Sequence, residues 1–137
     1  MGLYLCIFDS DEEIDGVDVG PYADFNAFRD CIVRELKGCH LGSKFPKLIL
    51  HSDCVGQWSP AEAAELEKEL VNISEEFRQR PPIPIKSDWQ KQVAKTFGLR
   101  INNLYDSFFD VDGEPLLDRL IGLARLGQQR NLAILFQ

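Results

Sequence analysis

Ser59-Pro60-Ala61-Glu62 opens the stretch that decides the fold, and Arg80 closes it before Pro81-Pro82. Serine at the cap, proline at the first helical position and glutamate three residues after the serine make a capping box, the sequence signature of a helix start. Behind it, Ala63, Leu66, Leu70, Ile73 and Phe77 recur at spacings of three and four, which is one apolar stripe on an amphipathic helix. The reading places Glu62, Glu65, Glu67, Lys68, Glu69, Glu75 and Glu76 on the faces left in water. Two prolines then end the run, because proline supplies no amide to a helix. One side of this helix needs a core, and the rest of the chain must build it.

Working toward the N-terminus, Asp24 is placed to cap a helix with Phe25, Phe28, Ile32 and Leu36 on one stripe, and Gly38 to close it with a left-handed cap. Leu3 to Phe8 is a short run of β-formers. The polar turn Asp9-Ser10-Asp11-Glu12-Glu13 separates it from Ile14 to Val19, where apolar and acidic residues partly alternate. These two runs read as an antiparallel hairpin broken by Gly20-Pro21. Lys47 to His51 is too short to distinguish a strand from a single helical turn, and the helical turn is the preferred reading.

Toward the C-terminus, Pro81-Pro82-Ile83-Pro84 is an extended connector. A third helix follows, capped by Ser87 and closed by Gly98, with Trp89, Val93 and Phe97 facing inward. Leu99 to Phe109 is an irregular stretch. A last helix starts at Asp112-Gly113-Glu114-Pro115, with Asp112 as its cap, and ends at Gly127. Leu132 to Phe136 is a terminal strand. The expected fold is α+β: a small, mostly antiparallel sheet from the N-terminal hairpin and the C-terminal strand. About four helices pack mainly on one face of it, in a single domain over residues 1–137.

The formal charge is −7, from 22 acidic and 15 basic residues. Nucleic acids and anionic membranes need cationic surfaces, so neither is the expected partner. No run approaches the ~20 apolar residues of a membrane span. The N-terminal stretch lacks the basic leader of a signal peptide, and Gly2 lacks the serine or threonine of a myristoylation signal. The expected location is the cytoplasm, where cysteines stay reduced. Cys6 and Cys31 sit in apolar runs and read as core residues.

Each candidate chemistry has a bland competitor. Cys39, His40, His51 and Cys54 are zinc-ligand types, yet they contain no C-x-x-C pair and adjacent Cys39 and His40 cannot readily share one ion. The acidic loop at Asp9 and the string Asp110-Val111-Asp112-Gly113 resemble calcium loops, but Gly20 and Arg119 stand where the bidentate glutamate belongs. His51, Asp53 and Cys54 could contribute to a scattered catalytic site, although no nucleophile elbow, phosphate loop or zinc-protease motif is present. Trp58 fits either a partner anchor or a hydrophobic staple beside the helix start, and the staple is the better reading. No cofactor, metal or catalytic residue is expected.

Several strings occur in an order that carries further information. They are Met1-Gly2-Leu3-Tyr4, the phenylalanine-rich helix Phe25 to Leu36, and Gly42-Ser43-Lys44-Phe45-Pro46 before a long Glu/Leu helix. Phe108 to Leu117 follows, with its Asp112-Gly113 turn. In these the chain resembles the immunity protein 70 family of bacterial polymorphic toxin systems, although Leu41 stands where members often carry tryptophan. The resemblance implies a non-catalytic cytoplasmic protein that binds and neutralises a cognate protein toxin through the toxin's C-terminal domain. It identifies no contact residues. Charge does: the hairpin carboxylates Asp9, Asp11, Glu12, Glu13, Asp15 and Asp18 form the expected partner-binding surface, with the acidic face of the Ser59–Arg80 helix as a possible extension. The alternatives are a module for a non-toxin protein partner, or a small enzyme near His51.

Overall fold

The computed structural model describes residues 2–36, 45–52 and 56–137. Strand β1 (Gly2–Asp9) and strand β2 (Glu12–Pro21) form the antiparallel hairpin, with Asp9 opposite Glu12 and only Ser10-Asp11 turning between them. Ser10 takes a left-handed conformation (φ 57°), uncommon for a residue with a side chain. Register shifts after Leu3 and Ile7 mark two bulges in this pairing.

Helix α1 (Tyr22–Glu35) follows, then the one-turn helix α2 (Pro46–Ile49), strand β3 (Gln57–Trp58) and the long helix α3 (Pro60–Arg78). Helix α4 (Asp88–Phe97), a 3-10 turn at Tyr105–Ser107, helix α5 (Leu116–Arg130) and strand β4 (Ile134–Phe136) complete the chain. The sheet is antiparallel throughout, in the order β2-β1-β4-β3. The α+β architecture is therefore as the sequence predicts, with one short strand more and five helices where about four were expected.

Alternation along the strands divides the sheet into two unlike faces. Leu3, Leu5, Ile7, Val17, Val19, Ile134 and Phe136 enter the hydrophobic cluster with the stripes of α1, α3 and α5. The residues between them, Tyr4, Cys6 and Phe8, are absent from that cluster, and Tyr4 and Phe8 stay half-exposed. At the cluster's centre Phe28 of α1, Phe77 of α3 and Phe108 meet edge-on and tilted, with ring centroids 5.0 to 6.4 Å apart. Such arrangements suit the ring quadrupoles.

The capping box forms as read. Ser59 Oγ accepts from the Glu62 amide at 3.1 Å, and Glu62 Oε1 accepts from the Ser59 amide at 3.0 Å. That second bond, more than the nearby lysine, holds the Glu62 carboxyl below the usual carboxylate range. The helix stops at Arg78, two residues before the expected end.

Five expectations need correction, and one alternative falls. Glu69 is not solvated: it is 9% exposed and lies against α2. Trp58 is no exposed partner anchor, the alternative to the staple. It is 1% exposed, pairs with Ile134 in β3, and donates its indole N–H to Lys47 O at 2.9 Å. Asp24 is no cap, because Pro21 precedes α1 and the Asp24 carboxylate accepts from the Trp89 indole at 2.8 Å. Asp112 is no cap either, since Pro115 occupies that position of α5. Phe97 does not face a core; it is 56% exposed, and α4 buries no residue fully. Gly127 lies inside α5, which continues to Arg130 and closes on left-handed Asn131. Gly98 does close α4 in the left-handed conformation, at φ 62°. The expected Gly38 cap lies outside the described residues.

Helix α2 shows how distant residues complete a local element. A four-residue helix cannot satisfy its own end groups. Glu69 of α3 accepts from the amides of Lys47 and Leu48, both at 3.1 Å. At the other end Arg29 of α1 donates to the carbonyls of Leu48, Ile49 and His51, at 3.2, 3.3 and 2.6 Å. An anion at the N-terminus and a cation at the C-terminus both complement the helix dipole.

Candidate partner-binding face

The six hairpin carboxylates share one element but not one environment. Asp9 accepts from Arg130 of α5 at 2.9 Å. Asp15 accepts from the amide of Gly16 at 2.8 Å and lies 3.9 Å from Arg119. Asp18 accepts from the amide of Gly20 at 3.2 Å. These three are partly committed to the fold. Asp11, Glu12 and Glu13 at the tip are exposed, and none of them has an ion-pair partner among the described residues.

Glu13 has a neutral neighbour instead. Its hydrogen bond with the Tyr4 phenol, with burial and the charges of Glu13 and Asp15 adding, pushes the Tyr4 pKa up to about 12. The Tyr4 ring crosses Gly16, where any Cβ would meet the phenol oxygen. The missing side chain at Gly16 is thus what lets Tyr4 lie flat beneath Glu13.

The free edge of β2 is closed around this surface. Arg119 of α5 donates to Gly16 O at 2.7 Å, and the amide of Val111 donates to Asp18 O at 3.3 Å. Arg119 is itself placed by Asp110, a fully buried carboxylate whose Oδ2 lies 3.3 Å from Arg119 Nε. The other oxygen, Oδ1, accepts from the amides of Asp112 and Glu114 at 2.9 and 3.0 Å. Edge strands offer unpaired backbone groups to incoming strands, so this edge resists that mode at Gly16 and Asp18. At these two positions the hairpin offers side chains, not free backbone carbonyls.

The acidic face of α3 is more occupied than its sequence implies. Glu62 is in the capping box, and Glu65 lies 3.5 Å from Lys47. Glu67 accepts from Arg125 at 2.6 Å and from Gln128 at 2.8 Å, which hold its carboxyl below the ordinary range. Glu76 lies 3.5 Å from Arg80. Lysine and arginine therefore neutralise most of that face, leaving the hairpin tip as the denser open charge.

The other candidate residues have structural roles or lie outside the described residues. His51 stacks on Phe136 with centroids 4.1 Å apart, and its Nδ1 and Nε2 lie 2.9 and 3.0 Å from the carbonyls of Ser52 and Gln57. Asp53, Cys54, Cys39 and His40 are outside the described residues, which hold no group of three or more metal-ligating side chains. Burial pushes the thiols of Cys6 and Cys31 up from their ordinary value, so both are poor nucleophiles. The Asp110 loop read as a calcium loop spends its one buried carboxylate on backbone amides and Arg119. Sequence reasoning missed Arg119 and Arg130 as organisers of the hairpin because each acts on residues more than a hundred positions away, and Tyr4 because its contact with Glu13 and Gly16 depends on the strand register.

No described helix is long and apolar enough to cross a membrane. The family model described as Immunity protein 70 matches residues 3–136, nearly the whole chain. No curated protein and no solved structure matches.

Proposed function

Because the chain belongs to the immunity protein 70 family, we propose that it binds and neutralises a cognate toxin of a bacterial polymorphic toxin system, acting in the cytoplasm as one domain without cofactor or catalysis. Its target is the C-terminal toxin domain. Family membership is the observation that carries this reading, and the charge distribution says where to look for the contact. The tip residues Asp11, Glu12 and Glu13 are exposed and have no ion-pair partner among the described residues, and Asp9, Asp15 and Asp18 add to the same negative field.

A field of that sign accelerates encounter with a basic protein surface and fixes its register, more than it adds raw affinity. The toxin surface that meets the hairpin is therefore basic. Stopped-flow association of the purified toxin domain with the chain tests this. Reversing Glu12 and Glu13 to lysine is expected to slow association at low salt by roughly tenfold or more, with the difference shrinking as salt screens the charges. An unchanged on-rate at low salt removes the hairpin from the interface.

A further inference from the structure

Residues 81–103 differ from the rest of this acidic chain. They hold four cations, Lys86, Lys91, Lys95 and Arg100, against the single carboxylate of Asp88, in a protein of net charge −7. All four cations are exposed, and none has an ion-pair partner among the described residues. The same segment forms a shallow, open groove of about 550 Å³ between the proline connector and α4, lined by Pro82, Ile83, Ile85, Ala94, Leu99 and Ile101. No ionisable side chain lines it.

Both walls are anchored elsewhere, so the groove exists before anything enters it. Trp89 fixes α4 through its bond to Asp24, its ring lies over Gly20, and Phe109 meets it edge-on at 6.2 Å. Phe97, the last residue of α4, rests on Gly113. The connector is held by the amide of Ile83, which donates to Ser107 Oγ at 3.1 Å. The cations are chain neighbours of the apolar wall, not part of it: Lys86 follows Ile85, Lys95 follows Ala94, and Arg100 separates Leu99 from Ile101. Lys91 stands one helical turn before Lys95.

We propose that this groove is a second docking site, which takes an apolar peptide segment bearing carboxylates from a protein partner. The apolar walls accept leucine- or phenylalanine-sized side chains, a preformed groove avoids the ordering cost of building one, and the unpaired cations select acidic flanks. The same cations repel the basic surface that suits the hairpin, so the two sites take different chemistry. Peptide binding here and growth protection are separate measurements, and either can fail without the other.

The test titrates the isotope-labelled full chain with three short synthetic peptides, following amide shifts. One alternates leucine or phenylalanine with glutamate, the second has lysine for each glutamate, and the third has serine for each apolar residue. Only the first is expected to bind, with shifts confined to residues 82–101. The triple variant Lys91→Glu, Lys95→Glu, Arg100→Glu is expected to lose roughly tenfold or more in affinity. In the wild-type chain, raising salt is expected to weaken the same complex. Equal binding of the basic peptide, tighter binding of a single-stranded oligonucleotide, shifts centred on the hairpin, or no binding of any peptide would each overturn the proposal.

Discussion

Replacing Glu69 with alanine is expected to cost about 2–4 kcal/mol of folding stability, a large share of what a domain this size possesses. Its carboxylate receives two amides, those of Lys47 and Leu48, at 3.1 Å each. Bonds to a charged acceptor are each worth about 1.5–3 kcal/mol, and truncation leaves the two donors at the start of α2 unpaired. Against this gain stands the cost of keeping a charge at 9% exposure. Burial raises the Glu69 pKa, and the two amide bonds only partly reverse it. The sign follows from linkage: a raised carboxyl pKa means that the folded state holds the proton more tightly. That contribution is complete below the unfolded value of about 4.3 and is lost as pH rises through the folded value. Glu69→Gln keeps one acceptor and sheds the charge, so its loss should be smaller than that of Glu69→Ala and less dependent on pH. Urea unfolding followed by circular dichroism reads both variants, with a lowered midpoint and an unchanged slope as the expected pattern. A Glu69→Ala variant within about 0.5 kcal/mol of the parent, the ordinary range for surface changes, would refute the clamp.

Three further outcomes follow from the same geometry. Phe28→Ala, at the centre of the three-ring cluster, should cost about 3–5 kcal/mol, whereas Phe97→Ala, half-exposed on α4, should cost under about 1 kcal/mol by the same unfolding assay; similar losses would mean that the core is misplaced. Tyr4 should ionise near pH 12 by ultraviolet or NMR titration, and Glu13→Gln should bring it back toward about 10; because the folded pKa is the higher one, this contribution to stability is present below about 10 and lost above it. Glu67, held low by Arg125 and Gln128, supports stability above the unfolded carboxyl value of about 4.3, and that support is lost as pH falls through its depressed folded value. Acid unfolding of Glu67→Gln should accordingly show a shallower acid limb than the parent, and an identical limb would count against the pairing.

Local signals were legible where a few neighbouring residues decide the outcome. The capping box before α3 formed with both of its bonds, and Gly98 closed α4 as its freedom at positive φ allows. The hairpin followed from alternation. What stayed hidden depends on partners far along the chain. Strand β3 has two residues and forms only because β4 lies beside it. Glu69 sits between stripe residues Leu66 and Leu70 and read as a solvated charge until α2 presented two amides to it. Asp110, not Asp112, organises the turn before α5, and the choice between two nearby aspartates is made by Arg119. For the candidate partner surface, sequence located the carboxylates, while the fold separated those already bonded from the exposed tip.

The most direct measurement of the central claim is growth of cells expressing the cognate toxin domain, with and without this chain at matched levels. The wild-type chain is expected to restore growth, and the Glu12→Lys, Glu13→Lys variant, folded to the same extent, to protect less. Continued killing in the presence of the folded wild-type chain would contradict it.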